Sequence, residues 1–408
     1  VAYSKSLFVG GNFTDAGDIT ANRIAKWDGS SWSALASGAQ TGVSGGVGYV
    51  AALTNDSSGN LYAGGAFTTA GGMTVNYIAK WNGSSWSTLA SGAQTGVDNF
   101  VFALTNDSSG NVYAGGQFTT AGGINPINYI AKWNGVAWSA LASGGGTGID
   151  GPLIRALTND GSGNVYAGGD FTTAGDITAN NIAKWDDSTS TWSALVSGEE
   201  TGTNGNVYAL TIDNSENIYA GGNFDTAGGM TVNNIAQWDG SAWSALTSGG
   251  ETGVSAPVNS LTNDNSGNVY AGGDFIAAGG TTVNYIAKWN DSTSTWSALA
   301  SGAQTGVNNY VNVLANDNSG NIYAGGAFTT AGGINPINYI AKWNGSAWSA
   351  LTSGGETGVS GVVDFLYILP IIENITAVST TAPRFEFKHK VLKPGNKHHI
   401  QKHRKYKM

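Results

Sequence analysis

Leu61-Tyr-Ala-Gly-Gly-Ala-Phe-Thr-Thr-Ala-Gly71, then Asn76-Tyr-Ile-Ala-Lys-Trp81 and a second tryptophan at Trp86, is written seven times along this chain with small changes. The Gly-Gly pair recurs at Gly10, Gly64, Gly115, Gly168, Gly221, Gly272 and Gly325, at intervals of 51 to 54 residues. A period near fifty means that one supersecondary unit is copied, so the fold is read as an array. The copies fill residues 1–368 without a linker, and a non-repeating extension with a basic end occupies 369–408.

Each copy carries four short runs rich in β-branched and aromatic residues. In the second copy they are Val50-Ala-Ala-Leu-Thr54, Asn60-Leu-Tyr-Ala63, Tyr77-Ile-Ala-Lys-Trp81 and Trp86-Ser-Thr-Leu-Ala90. Runs of this length bounded by Gly, Asn, Asp and Ser predict strands. No stretch sustains a 3.6-residue period, so helix is expected to be near absent. Asp56-Ser-Ser-Gly-Asn60 supplies Asx-turn chemistry between the first two runs, and Asn82-Gly83 marks a hairpin between the last two. Each copy therefore predicts a four-stranded antiparallel meander. One such sheet cannot bury both faces alone, whereas sheets set radially cover one another.

The ends of the array predict closure. The chain opens at a second strand, Leu7-Phe8-Val9, with no first strand before it. It ends with a first strand left over, Val362-Val-Asp-Phe-Leu-Tyr-Ile368. Three strands from the N-terminus and one from the C-terminus would complete a blade and latch the ring. The expected fold is all-β, a seven-bladed β-propeller of four-stranded antiparallel blades, with an open solenoid stack as the alternative.

Composition narrows the function classes. Charged residues are only 11%, against about 25% in an ordinary domain. There is no Cys, which excludes disulfides and thiolate chemistry. No apolar run reaches the roughly 20 residues of a membrane helix. The net charge of −9 hides an asymmetry. Residues 384–408 hold nine Lys or Arg against Glu386, a net of +8, which leaves −17 for the remainder. All four His lie in this tail, so the repeats lack the commonest catalytic base and metal ligand.

The stretch Val311-Asn-Val-Leu-Ala-Asn-Asp-Asn-Ser-Gly-Asn-Ile-Tyr-Ala-Gly-Gly-Ala-Phe-Thr329, followed by Asn338-Tyr-Ile-Ala-Lys-Trp343, resembles the delta-sixty class of β-propeller repeats. It is similar to kelch repeats more loosely, through the Gly-Gly strand end and the later Trp. The second Trp and the Asn-Gly turn depart from the delta-sixty pattern. The resemblance implies a propeller, often within a large exported or surface protein, and it brings no catalytic residues.

Constant columns read as scaffold. Asn22, Asn76, Asn128, Asn180, Asn233, Asn284 and Asn338 are expected to tie down a loop with their amides; seven equivalent ligand contacts are the functional alternative. Lys26, Lys80, Lys132, Lys184, Lys288 and Lys342 precede the first Trp and are expected to lie over its face, with Gln237 breaking the set. The Asp-x-Ser-Gly-Asn turns lack the spacing of a calcium loop.

One column varies. Before the Leu of each first strand, next to an Ala in most copies, stand Ala51, Phe102, Arg155, Tyr208, Asn259, Asn312 and Asp364, while Val50, Val101, Ile154, Val207, Val258, Val311 and Val363 before them barely change. With the first strand innermost, the varied residues crowd one mouth of the channel. Phe102, Arg155, Tyr208, Asn259, Asn312 and Asp364 are thus the candidate ligand-binding set, for a glycan or a protein. Relaxed drift at an exposed rim is the bland alternative.

No catalytic residue, metal site or cofactor is assigned. A hydrolase built on paired carboxylates would need a partner for Asp364 that does not mark itself. Lys388, Lys390, Lys393, Lys397, Lys402, Arg404, Lys405 and Lys407 are candidates for a polyanion contact through counterion release. The expected role is a non-enzymatic binding module, extracellular or on a cell or virion surface. A self-associating coat or filament subunit is the alternative, and a carboxylate hydrolase ranks third.

Overall fold

The structure is a computed structural model that describes residues 5–370. Among them every regular element is a strand, and seven four-stranded antiparallel sheets account for the repeats. The second repeat shows the plan: Val50–Asn55, Leu61–Gly65, Ile78–Trp81 and Trp86–Ser87 form one meander. In the first sheet Lys5–Gly11, Ile24–Trp27 and Trp32–Ala34 are joined by Val363–Pro370 from the other end of the repeats. Leu7 stands opposite Ile368 and Val9 opposite Leu366.

The strands differ from expectation in detail. The Gly-Gly pair lies inside the second strand, not after it. Tyr77 lies outside the third strand at φ 66°, after Asn76 at φ 53°. The fourth run breaks after Ser87, and Ala90–Ser91 instead pairs with Gln94–Thr95 in a two-residue ladder. A similar hairpin joins Thr69–Ala70 to Met73–Thr74. Two-residue strands have no periodicity to detect, which is why the sequence reads as loop there.

No sheet closes on itself by hydrogen bonds among the described residues; the sheets meet through side chains. The first Gly of each pair explains how. A Cβ on Gly64 would lie 2.5 Å from Val101 Cγ1 of the next sheet, and one on Gly115 2.5 Å from Ile154 Cγ2. Likewise Gly10 receives Val50, Gly168 Val207, Gly221 Val258, Gly272 Val311, and Gly325 Val363 of the first sheet. The apolar clusters accordingly straddle neighbouring repeats: Tyr62, Ile78 and Leu89 of one pack with Phe118, Trp133 and Trp138 of the next.

The tryptophans fasten the outer strands. Each pair stands opposite across its hairpin with ring centroids 5.1 to 5.5 Å apart. The second Trp also reaches the preceding repeat: Trp86 Nε1 donates to the Leu35 carbonyl at 3.1 Å, and Trp138, Trp192, Trp243, Trp296 and Trp348 do the same. Trp32 packs in one cluster with Leu351, but its buried Nε1 makes no hydrogen bond.

The lysine column sits elsewhere than expected. Lys80 Nζ is 5.5 Å from the Tyr62 ring centroid, and Lys132, Lys184, Lys288 and Lys342 lie over Tyr113, Tyr166, Tyr270 and Tyr323. Consecutive strand residues point to opposite faces, so Lys80 cannot cover Trp81; it meets Tyr62, directly opposite in the ladder. Gln237 keeps the partnership by donating to the Tyr219 hydroxyl at 2.9 Å.

Candidate functional site

Each first strand carries a β-bulge at the same place, opposite the Gly-Gly pair. Gly64 pairs with Ala52 and Gly65 with Val50, so Ala51 is left outside the ladder. The register skips Phe102, Arg155, Tyr208, Asn259, Asn312 and Asp364 in the same way. The varied column is therefore the bulge column. The second Gly of the pair permits it: a Cβ on Gly65 would strike the Tyr49 carbonyl, and one on Gly116 the Phe100 carbonyl. A bulge re-aims a side chain without breaking the sheet, and bulges are over-represented beside active sites.

All seven bulge residues line one cavity of about 590 Å³. Next to them in its wall stand Leu104, Leu157, Leu210, Leu261, Leu314 and Leu366. The leucines are nearly constant along the chain and read as core, so no sequence signal distinguished them. The next column outward, from Tyr49 and Phe100 to Val362, is not part of the lining. Of the varied residues only Arg155 is exposed; the others are half-buried.

The side chains form two unlike arcs. Tyr77 and Phe100 meet edge to face at 5.7 Å, and Phe100 and Phe102 at 6.1 Å, so aromatic surface runs into the cavity. The Arg155 guanidinium lies 5.1 Å from the Tyr208 ring centroid. On the other arc Asn312 Nδ2 donates to Asp364 Oδ1 at 3.1 Å and to the Val363 carbonyl at 3.4 Å. Asn259 Nδ2 donates to Asp274 Oδ1 at 3.1 Å and to the Val311 carbonyl at 3.3 Å. These two amides therefore also link neighbouring sheets. Burial pushes the Asp364 carboxyl up to about 6, against a smaller lowering by the Asn312 hydrogen bond. Asp364 is the one acid in the lining.

The constant polar columns are spent on the scaffold. Asn76 Nδ2 donates to the Thr95 carbonyl and hydroxyl at 3.2 and 2.8 Å, and Asn22, Asn128, Asn180, Asn233, Asn284 and Asn338 do the same with Thr41, Thr147, Thr201, Thr252, Thr305 and Thr357. Asp56 accepts from the Ser58 and Asn60 backbone and from the Asn60 amide, closing its own turn. Among the described residues no group of three His, Cys, Asp or Glu could hold a metal ion. No helix among the described residues is long and apolar enough to cross a membrane. The polyanion candidates Lys388, Lys390, Lys393, Lys397, Lys402, Arg404, Lys405 and Lys407 lie outside the described residues.

The profile of the Rax2 C-terminal beta propeller domain matches residues 153–293. No curated protein matches this chain. Among solved structures it is similar to the extracellular domain of BT4673 from B. thetaiotaomicron, described as part of a one-component system. The identity is 14% and the TM-score 0.51, over 84% of this chain and 38% of that one. It is also similar to PorZ, a surface component of the type-IX secretion system of Porphyromonas gingivalis. Here the identity is 13% and the TM-score 0.50, over 81% of this chain and 43% of that one. The chain spans less than half the length of either. At these identities the likeness carries the fold alone, an all-β, β-propeller-like domain. It does not single out delta-sixty or kelch repeats.

Proposed function

We propose that the seven sheets are the blades of one ring, latched where Val363–Pro370 pairs with Lys5–Gly11, and that the ring is a non-enzymatic binding module whose ligand seats in the channel mouth. One observation carries this reading: the bulge column diverges beside a constant Val or Ile column, and all seven of its residues line one cavity. Its aromatic surface with a few polar groups is the usual make-up of a small-ligand or peptide site. A lone half-buried acid in the lining argues against a paired-carboxylate hydrolase. The similar structures are an extracellular domain and a surface component, which supports a place outside the cell or on a surface.

The site is tested on a glycan array and against candidate protein partners, with the native chain and with Arg155→Ala. Binding is expected to vanish in the variant while its melting temperature is unchanged. Ligand retained by the variant would place the site elsewhere, and a discrete large particle on sizing would favour a coat subunit. Closure is tested by ending the chain at residue 361. That removes the buried Val363 and Leu366, at about 3–6 kcal/mol, and bares the edge at Lys5–Gly11. A truncated protein that melts like the full chain would reject the latch.

A further inference from the structure

We propose that the channel mouth takes a short peptide with both ends free: its carboxylate on Arg155, its ammonium on Asp364, and an apolar side chain over the leucines between them. This rests on the reading of the mouth as a binding site. In ring order Arg155 and Asp364 stand three sheets apart one way and four the other, as far apart as seven sheets allow. Neither takes part in an ion pair among the described residues, where the two are Lys80–Asp56 and Lys132–Asp187. Both charges nevertheless act on one hydroxyl, that of Tyr49, in the column outward of the bulges. Burial raises the Tyr49 hydroxyl, Asp364 raises it further and Arg155 draws it down.

The two arcs are opposite in hydrogen-bonding sense. Arg155 offers a planar fork of donors, its face placed over Tyr208, and no acceptor among the described residues takes them. Such a fork fits a carboxylate with two parallel bonds. The facing arc offers acceptors. Asp364 has one oxygen engaged by Asn312, and the side-chain oxygens of Asn259 and Asn312 receive no donor from the described residues. A half-buried carboxylate without a cation is costly, and a ligand ammonium would supply the partner.

A sugar, whose hydroxyls both donate and accept, needs no such separation. A zwitterion does. The apolar part of the ligand is set by Leu104, Leu157, Leu210, Leu261, Leu314 and Leu366 in the same cavity. Its roughly 590 Å³ lies within the range of small-ligand pockets.

The test is calorimetry on the full chain at about pH 7.5, where Asp364 is mostly ionised. Trileucine is compared with its N-acetyl form, its C-terminal amide and triglycine. Trileucine should bind, and each of the other three should bind about tenfold or more weakly, one anchor or the apolar contact being lost each time. Arg155→Ala should erase the penalty of the amide alone, and Asp364→Asn that of the acetyl group alone. The peptide comparison is made on the native chain and stands even where a variant fails to fold. Equal binding of free and blocked peptides overturns the proposal, as do penalties that survive both variants. If no peptide binds while a glycan-array ligand depends on Arg155, the peptide assignment falls and the mouth remains the site. If neither is seen, both readings fall together.

Discussion

Ile154 and Arg155 are consecutive residues of one strand held by different constraints. Ile154 is fully buried, and its methyl occupies the space that Gly115 leaves by having no side chain. Arg155 is skipped by the ladder and opens onto the cavity. The same division holds in every sheet, with Val50, Val101, Val207, Val258, Val311 and Val363 all at 0% exposure beside a bulge residue that differs. Contact between sheets is close-packed and admits one shape, so that column stays apolar and β-branched. The bulge releases its neighbour from both the ladder and the packing. Repetition is preserved by the first column and diversity is carried by the second.

The comparison breaks if the two columns respond alike to truncation. Ile154→Ala should cost about 2–5 kcal/mol by leaving a cavity against Gly115. Arg155→Ala should change stability by no more than about 0.5 kcal/mol. Urea melts of the two variants measure this directly, and comparable losses would mean that the bulge residue is part of the packing.

Asp364 sharpens the comparison, because it is a bulge residue whose charge is half-buried. Its carboxyl, ordinarily at 3.8, is raised to about 6. The folded chain thus holds the proton more tightly than the unfolded one. Stability is greatest below the unfolded value and is lost as pH rises through about 6. Asp364→Asn should then gain up to about 3 kcal/mol at about pH 7.5 and almost nothing at about pH 4. A variant no more stable than the native chain at the higher pH would show that the carboxylate is well solvated in the mouth.

Asn259 falls between the columns, since its amide bonds the Val311 carbonyl of the next sheet. Asn259→Ala should cost about 1 kcal/mol, above Arg155→Ala and well below Ile154→Ala. A loss as small as that of Arg155→Ala would assign this amide to the ligand alone.

Much of the candidate site was legible before any coordinates. The varied column stood out because the Val or Ile before it barely changes. The bulge was not legible. It is a mismatch of register between two strands, and nothing in Val101-Phe-Ala-Leu104 states that Gly116 pairs with Val101 while Gly115 pairs with Ala103. The lysines went to the wrong ring for a related reason. Trp81 is adjacent to Lys80 along the chain, but Tyr62 is adjacent across the ladder.

By itself the amino-acid sequence determined the repeat, the four-stranded unit, the turns and the near absence of helix. Each is set by local steric demands that every copy states again: an Asx residue for a turn, Gly-Gly for a close approach, alternation for a half-buried strand. Tertiary structure alone decided which strand residue escapes the ladder, that a leucine layer shares the cavity with it, and that Asp364 holds its charge in partial burial. Those depend on which sheet face meets which and on how far a side chain stands from water. Both are properties of the assembled sheets that no single copy contains.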